Sequence, residues 1–221
     1  MPALAAAIGQ RDRMRATLCL ASAIYYEAAT ESDDGQRAVA QVVLNRVRHG
    51  SEWPNTVCGV VYEGSNEAGC QFSFACDGAM ARTPSLTAWI RARRVAEAAL
   101  SGQVYAPVGS ATFYHTTAVA PGWRTRMVPM SVVGAHIFYR LPGDAPDAAS
   151  LPAVYEGGEP MPGPLPSFAM VAAIAPLPVE PTSVPASPQT AKPAAQAIAD
   201  TPPESDIRPE WRDSGTWIAG R

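Results

Sequence analysis

The sequence predicts an α+β protein with a helix-rich core and a small antiparallel sheet, followed by a Pro-rich disordered tail. Three observations predict it. Apolar residues recur at helical spacing over residues 15–30, 35–49 and 84–101. The period then shortens to strand-like alternation in SATFYHTT (110–117) and VVGAHIFYR (132–140). Finally, sixteen of the 22 prolines lie between Pro142 and Pro209, against six in the first 141 residues.

Residues 18–45, LCLASAIYYEAATESDDGQRAVAQVVLN, read as two helices joined by an acidic elbow. In the first, Leu18, Ala21, Ile24, Tyr25 and Ala28 form the apolar stripe. Glu27 borders that stripe near Leu20 and Ile24. A carboxyl on such a border is partly desolvated, which favours its neutral form and raises its pKa. Glu31, at i, i+4, pushes the same way. An acid tuned towards neutrality donates a proton near physiological pH. A solvated helix-edge glutamate fits the same spacing.

Ser32, Asp33 and Asp34 precede the second helix, where negative charge complements an N-terminus. Ala38, Val39, Ala40, Val42, Val43, Leu44 and Val47 cover most of its circumference, so it is expected to be central and buried. Asn45 and Arg46 interrupt the apolar run, to cap local carbonyls or to face a cleft. Residues 50–82 then read as a loop, a short apolar segment at 57–62 and a second loop. There Gln71, Ser73 and Asp77 interleave with Phe72 and Phe74, a pattern that suits the lining of a sugar cleft or a half-buried strand.

For the third helix, Thr83 is the cap, Pro84 takes the first turn and Gly102 follows the last. Leu86, Trp89, Ile90, Val95, Ala96, Ala99 and Leu100 form its inner face, with Arg91, Arg93 and Arg94 solvated. The connection AVAPGWRTRMVPMS between the two strands is too long for a tight hairpin. It carries Trp123, Arg124 and Arg126, a platform for a sugar ring with an anionic substituent or a core tryptophan under a loop.

Cys19, Cys58, Cys70 and Cys76 all precede residue 77, an even count that suits two disulfides in an oxidising compartment, with three possible pairings. Buried free thiols are the other reading, and CxxC or HxxxH zinc spacing is absent from the sequence. Residues 1–142 carry 13 Arg and 10 acidic residues, net +3, whereas residues 143–205 are net −6. A mildly basic body tolerates a polyanionic polymer but lacks the charge density of a nucleic-acid binder. No stretch has the length of a membrane-spanning helix. The opening MPALAAAIGQRDR lacks a basic n-region and is a poor signal peptide, which leaves the export route open. The expected organisation is a leader at 1–14, a folded domain at 15–142, a Pro/Ala-rich linker at 143–205 and a docking peptide at 206–221. Trp211 and Trp217 would engage a protein partner through that peptide.

Over residues 17–140, the motifs LCLASAIYYEAATESDDGQRAVAQVVLNRV, WPNTVCGVVYEG, GCQFSFACDG, ATFYHTTAVAPGW and VVGAHIFYR occur in the order seen in SleB-like cell-wall hydrolases, the catalytic family of spore cortex-lytic enzymes. The resemblance implies a lysozyme-like fold that cuts peptidoglycan glycan strands by lytic transglycosylation, in the periplasm or at the cell wall, without a cofactor. It implies one catalytic glutamate in a Tyr-x-Glu-Ala element, here Tyr25-Tyr26-Glu27-Ala28, so that role passes to Glu27. The family commonly has glycine where this chain has Tyr26, and Arg-Gly-Glu where it has Ala29-Thr30-Glu31. Glu31, Gln71, Ser73, Thr112, Tyr114, His115 and Trp123 are the expected substrate-binding residues. Glu31 and Asp33 are the candidates for a second carboxylate, and His136 is expected to be a hydrogen-bonded core histidine. Two other functions fit parts of the sequence: an amidase or peptidase using Cys70 and His115, and a non-catalytic wall-binding component.

Overall fold

The computed structural model describes residues 9–50, 52–65, 69–151, 155, 157–161 and 163. In chain order the elements are α1 (Gln10–Ala28), α2 (Asp33–His49), α3 (Val57–Val61), α4 (Leu86–Leu100), β1 (Phe113–Thr116), β2 (Val128–Val133) and β3 (His136–Arg140). The expected α+β class is met. Most of the leader and the linker, and the whole docking peptide with Trp211 and Trp217, lie outside the described residues.

The first helix is more enclosed than its apolar stripe suggested. Every residue from Ala16 to Ile24 is buried, because α2, α3 and α4 all pack against it. Its polar members are satisfied within the helix: the Thr17 hydroxyl donates to Arg13 O and the Ser22 hydroxyl to Leu18 O. The helix ends at Ala28, two residues before the expected end. Gln36 Nε2 takes the Ala28 carbonyl over 3.1 Å, and Arg91 reaches the carbonyls of Ala29 and Glu31. Those partners satisfy the carbonyls left open at a helix end.

The second helix is buried along nearly its whole length, as its apolar run predicts. Ser32 caps it, accepting from Gly35 N, with Asp33 and Asp34 in the first turn. Gly50, in the left-handed region at φ 73°, closes it. Its buried polar side chains cap carbonyls, though not local ones. Asn45 Nδ2 donates to Gly109 O and Ala111 O, both over 2.8 Å, and Arg46 Nε to Thr112 O over 2.7 Å. Gln41 Oε1 accepts from Tyr105 N while its amide donates to Asn45. A helix thus templates the irregular chain that leads into β1, replacing the ladder bonds that chain lacks.

The expected cap of α4 is corrected: the helix starts at Leu86 with Ser85 as its N-cap, and Ser85 N donates to the Tyr25 hydroxyl. Leu86 is 57% exposed, not inward. Arg93 is buried, not solvated. It lies one turn from Trp89 on the same face, and its guanidinium is paired with Glu97 over 2.9 Å.

The three strands are antiparallel in the order β1-β3-β2. Tyr114 stands opposite Phe138 and His115 opposite Ile137. A turn at Gly134 and Ala135 splits the expected strand 132–140 between β3 and the edge strand β2, which begins at Val128 inside the expected connection. A bulge between Pro129 and Ser131 breaks the alternation that would have marked it. Phe138 carries the sheet onto Ala38 and Val42 of α2, with Val108 and Ala111 completing that second core.

Disulfides join Cys19 to Cys58, tying α1 to α3 with Cα atoms 5.1 Å apart, and Cys70 to Cys76, closing the second loop. Beyond the boundary that proline content places at 142, the chain stays against the body. Arg48 holds the Ala148 and Leu151 carbonyls, and Glu159 is buried with its carboxylate on the α3 N-terminus.

Candidate active site

Glu27 occupies the last turn of α1, partly buried, and forms no ion pair among the described residues. Its neighbour Tyr26 stacks on Phe74 with ring centroids 4.7 Å apart. That contact docks the α1 terminus against the Cys70–Cys76 loop. From the other side β1 delivers Tyr114, whose hydroxyl donates to Glu27 Oε2 over 3.0 Å. The Tyr114 ring is held edge-on to His136 at 5.3 Å and tilted against Phe138 at 5.6 Å.

Burial raises the pKa of Glu27. The Tyr114 hydrogen bond and the Arg46 charge oppose that rise, whereas Asp77 adds to it. The Tyr114 phenol is itself pushed well above its ordinary value, by burial first and by the Glu27 charge second, so it stays a donor. Burial likewise pushes the Tyr26 phenol up to about 12.

Arg46 is 4% exposed and sits among three rings, with its guanidinium carbon 5.4 Å from Phe72, 5.8 Å from Trp53 and 6.0 Å from Phe113. Its Nη1 is buried without a protein hydrogen-bond partner. The sequence marked this residue only as an interruption of an apolar run. Asp77 was legible only as one of several interleaved polar residues. Its carboxylate takes the Ser73 hydroxyl at 3.2 Å and Ala79 N at 2.8 Å.

The like-charge partner expected for Glu27 is corrected. With α1 ending at Ala28, Glu31 no longer lies one helical turn on. It turns to the β2–β3 connection, where Oε1 accepts from Ala135 N over 3.1 Å and faces His136 Nδ1 at 3.6 Å. Gly134, at φ 56°, leaves room for that carboxylate. His136 is a core residue, 3% exposed, but its Nδ1 faces Glu31 without a hydrogen bond. Burial lowers its pKa.

Strand alternation separates residues the sequence had grouped. Thr112 and Tyr114 share one face, while Phe113 and His115 share the other. Thr112 is fully buried, held by its backbone to Tyr139 and Arg46. His115 has both ring nitrogens engaged, Nε2 with the Tyr139 hydroxyl at 2.9 Å and Nδ1 with Thr116 O at 2.8 Å. Trp123 packs on Phe113, His115 and Tyr139 from a 3-10 turn, leaving Arg124 and Arg126 exposed. Gln71 and Ser73 are exposed on the Cys70–Cys76 loop, with Phe72 and Phe74 turned into the core. Because Cys70 is bonded to Cys76, it offers no thiolate for a cysteine–histidine pair with His115.

A family model described as Cell Wall Hydrolase matches residues 30–139, a segment that begins just after Glu27. The chain is 38% identical over 120 residues to a spore cortex-lytic enzyme of Halalkalibacterium halodurans, covering 54% of this chain and 33% of that protein. Against a spore cortex-lytic enzyme of Bacillus cereus the identity is 35% over 120 residues, covering 54% and 42%. The chain thus spans between a third and about two-fifths of these relatives' length. Among solved structures, it is 31% identical to the catalytic domain of the Bacillus cereus SleB protein, with a TM-score of 0.46, covering 60% of this chain and 92% of that one. It is 32% identical to the catalytic domain of the germination-specific lytic transglycosylase SleB from Bacillus anthracis, with a TM-score of 0.47, covering 60% and 96%.

Proposed function

This chain belongs to the Cell Wall Hydrolase family, and from that premise we propose that it cleaves the glycan strands of peptidoglycan by lytic transglycosylation, with Glu27 as acid and then base. The observation that carries this reading is Glu27 itself. It is a partly buried carboxyl, raised by its surroundings and free of any ion pair among the described residues, with a tyrosine hydroxyl fixed on one oxygen. The lytic names of the relatives support the reaction class.

Neutral Glu27 gives its proton to the oxygen linking N-acetylmuramic acid to N-acetylglucosamine, and the bond from that oxygen to the muramic anomeric carbon breaks through an oxocarbenium-like state. The Glu27 carboxylate then takes the proton of the muramic C6 hydroxyl as that oxygen bonds to the anomeric carbon. A 1,6-anhydro end results and Glu27 is neutral again. One acid serves both steps, so no carboxylate nucleophile is needed. The two candidates for a second carboxylate in hydrolysis are engaged elsewhere, Glu31 on the β2–β3 connection and Asp33 with Arg91 over 2.8 Å.

Gln71 and Ser73, exposed beside Asp77, are the groups we assign to sugar hydroxyls. Glu31, Thr112 and His115 take supporting places: Glu31 fixes the β2–β3 connection, and the other two hold β1 and its neighbour β3. Trp123 with Arg124 and Arg126 is assigned a second sugar platform. Action at the wall outside the membrane fits two disulfides, which persist in oxidising compartments.

The test is Glu27→Gln on purified peptidoglycan, with products identified by mass spectrometry. Loss of soluble fragments carrying anhydro ends is expected, and wild-type turnover by the variant sinks the assignment. Reducing ends in the wild-type digest would move the reading to hydrolysis, with Asp77 as the carboxylate to test next. Cleaved stem peptides would move it to a peptidase.

A further inference from the structure

Arg46 is a charged residue withdrawn into the core, 4% exposed. A guanidinium withdrawn from water is normally paired with a carboxylate, yet Arg46 has no ion pair among the described residues. Instead it lies among Trp53, Phe72 and Phe113, donates through Nε to Thr112 O, and keeps Nη1 without a protein partner. Thr112 is two residues before Tyr114 on the chain that becomes β1, and Tyr114 donates to Glu27.

We propose that Arg46 is a positioning residue for the Glu27 chemistry, fixing the start of β1 so that the Tyr114 hydroxyl meets the carboxyl, and keeping a positive charge near that pair. The inference rests on the proposed role of Glu27. Three groups act on Glu27: Tyr114 from β1, Arg46 from α2 and Asp77 from the loop after Cys76. Tyr114 and Arg46 favour the carboxylate, and Asp77 disfavours it. The charges that act on Arg46 in turn are those of Glu63 and of Glu27 itself. When Glu27 releases its proton to the leaving oxygen, negative charge appears on its carboxyl. A fixed cation in a water-poor setting stabilises that charge without having to reorganise. Ring faces suit this purpose, because they hold the guanidinium in place without cancelling its charge.

The test compares Arg46→Gln and Arg46→Lys with wild type and with Glu27→Gln, following turnover against pH on purified peptidoglycan. Arg46→Gln keeps a donor for Thr112 O and loses the charge. It should lower turnover roughly tenfold or more and move the alkaline limb of kcat/KM to higher pH, since Glu27 then holds its proton longer. Arg46→Lys keeps the charge and loses the planar fit among the rings. It should leave the limb near its wild-type position while turnover falls. A purely structural role would reduce the amount of active protein without moving the limb in either variant, and that result overturns the proposal. Should Arg46→Gln fail to fold, Arg46→Lys decides alone on turnover per folded molecule: lowered kcat per folded protein at an unshifted limb supports the proposal, whereas wild-type kcat per folded protein, or a limb shifted upward despite the retained charge, overturns it. Activity in Glu27→Gln would instead overturn the proposed function, separately from the role of Arg46.

Discussion

The Tyr114 hydroxyl donates to Glu27 Oε2 over 3.0 Å, joining the last turn of α1 to β1 across 87 residues of sequence. The bond favours the charged carboxylate and so works against the burial that raises the Glu27 pKa. Tyr114→Phe removes the donor and leaves the ring. Glu27 should then titrate higher, the alkaline limb of kcat/KM should move to higher pH, and turnover should fall about tenfold. A pH–rate profile with its limb unmoved would count against the pairing.

Glu27 also makes a prediction about stability. Its folded pKa lies above the ordinary 4.5, so the folded state binds the proton more tightly than the unfolded chain. Stability is therefore highest below the unfolded value and falls as pH rises through the raised folded value. At neutral pH the carboxylate is a net cost. Glu27→Gln should be more stable than wild type there by about 0.5–2 kcal/mol, with the advantage shrinking towards pH 4.5. Denaturant titrations at two pH values check this, and a variant less stable at neutral pH contradicts it.

Gly134 turns the chain between β2 and β3 at φ 56°, and a Cβ there would run into the Glu31 carboxylate. Gly134→Ala should cost about 1–3 kcal/mol, combining left-handed strain with the displaced Ala135 N–H to Glu31 bond. Thermal melts measure it. A melting temperature equal to wild type would mean that Glu31 is not packed against the turn.

Glu159 accepts from Val57 N, Cys58 N and the Tyr155 hydroxyl, and its own carbonyl takes Arg15 Nη1. Removing the side chain leaves two buried backbone N–H groups unpaired. Glu159→Ala should therefore lose about 1–3 kcal/mol. A chain ending after residue 142 should be less stable than one ending after residue 163, because Arg48 also loses the Ala148 and Leu151 carbonyls. Equal denaturation midpoints for the two lengths would show that this segment contributes nothing.

The helices were legible because their causes are local. A capping serine before α2, a glycine after the last turn and the 3.6-residue period all act within one or two turns. β2 was missed in its first half because a bulge at Met130 hides the alternation that marks a strand. Arg93 was misread because a buried arginine is legible only with its partner, and Glu97 pairs with it one turn on.

By itself, the sequence determined the three long helices and two strand-forming stretches after them, the place of Glu27 beside an apolar stripe, and the even set of cysteines that became two disulfides. Only the tertiary structure decided what surrounds that carboxyl. Tyr114 and Arg46 stabilise its charge, Asp77 opposes it, and Glu31 is drawn away to Ala135. The reason is physical. Periodicity and capping are short-range properties of a chain, whereas the proton affinity of a partly buried acid depends on whichever dipoles and charges the fold brings within a few ångströms.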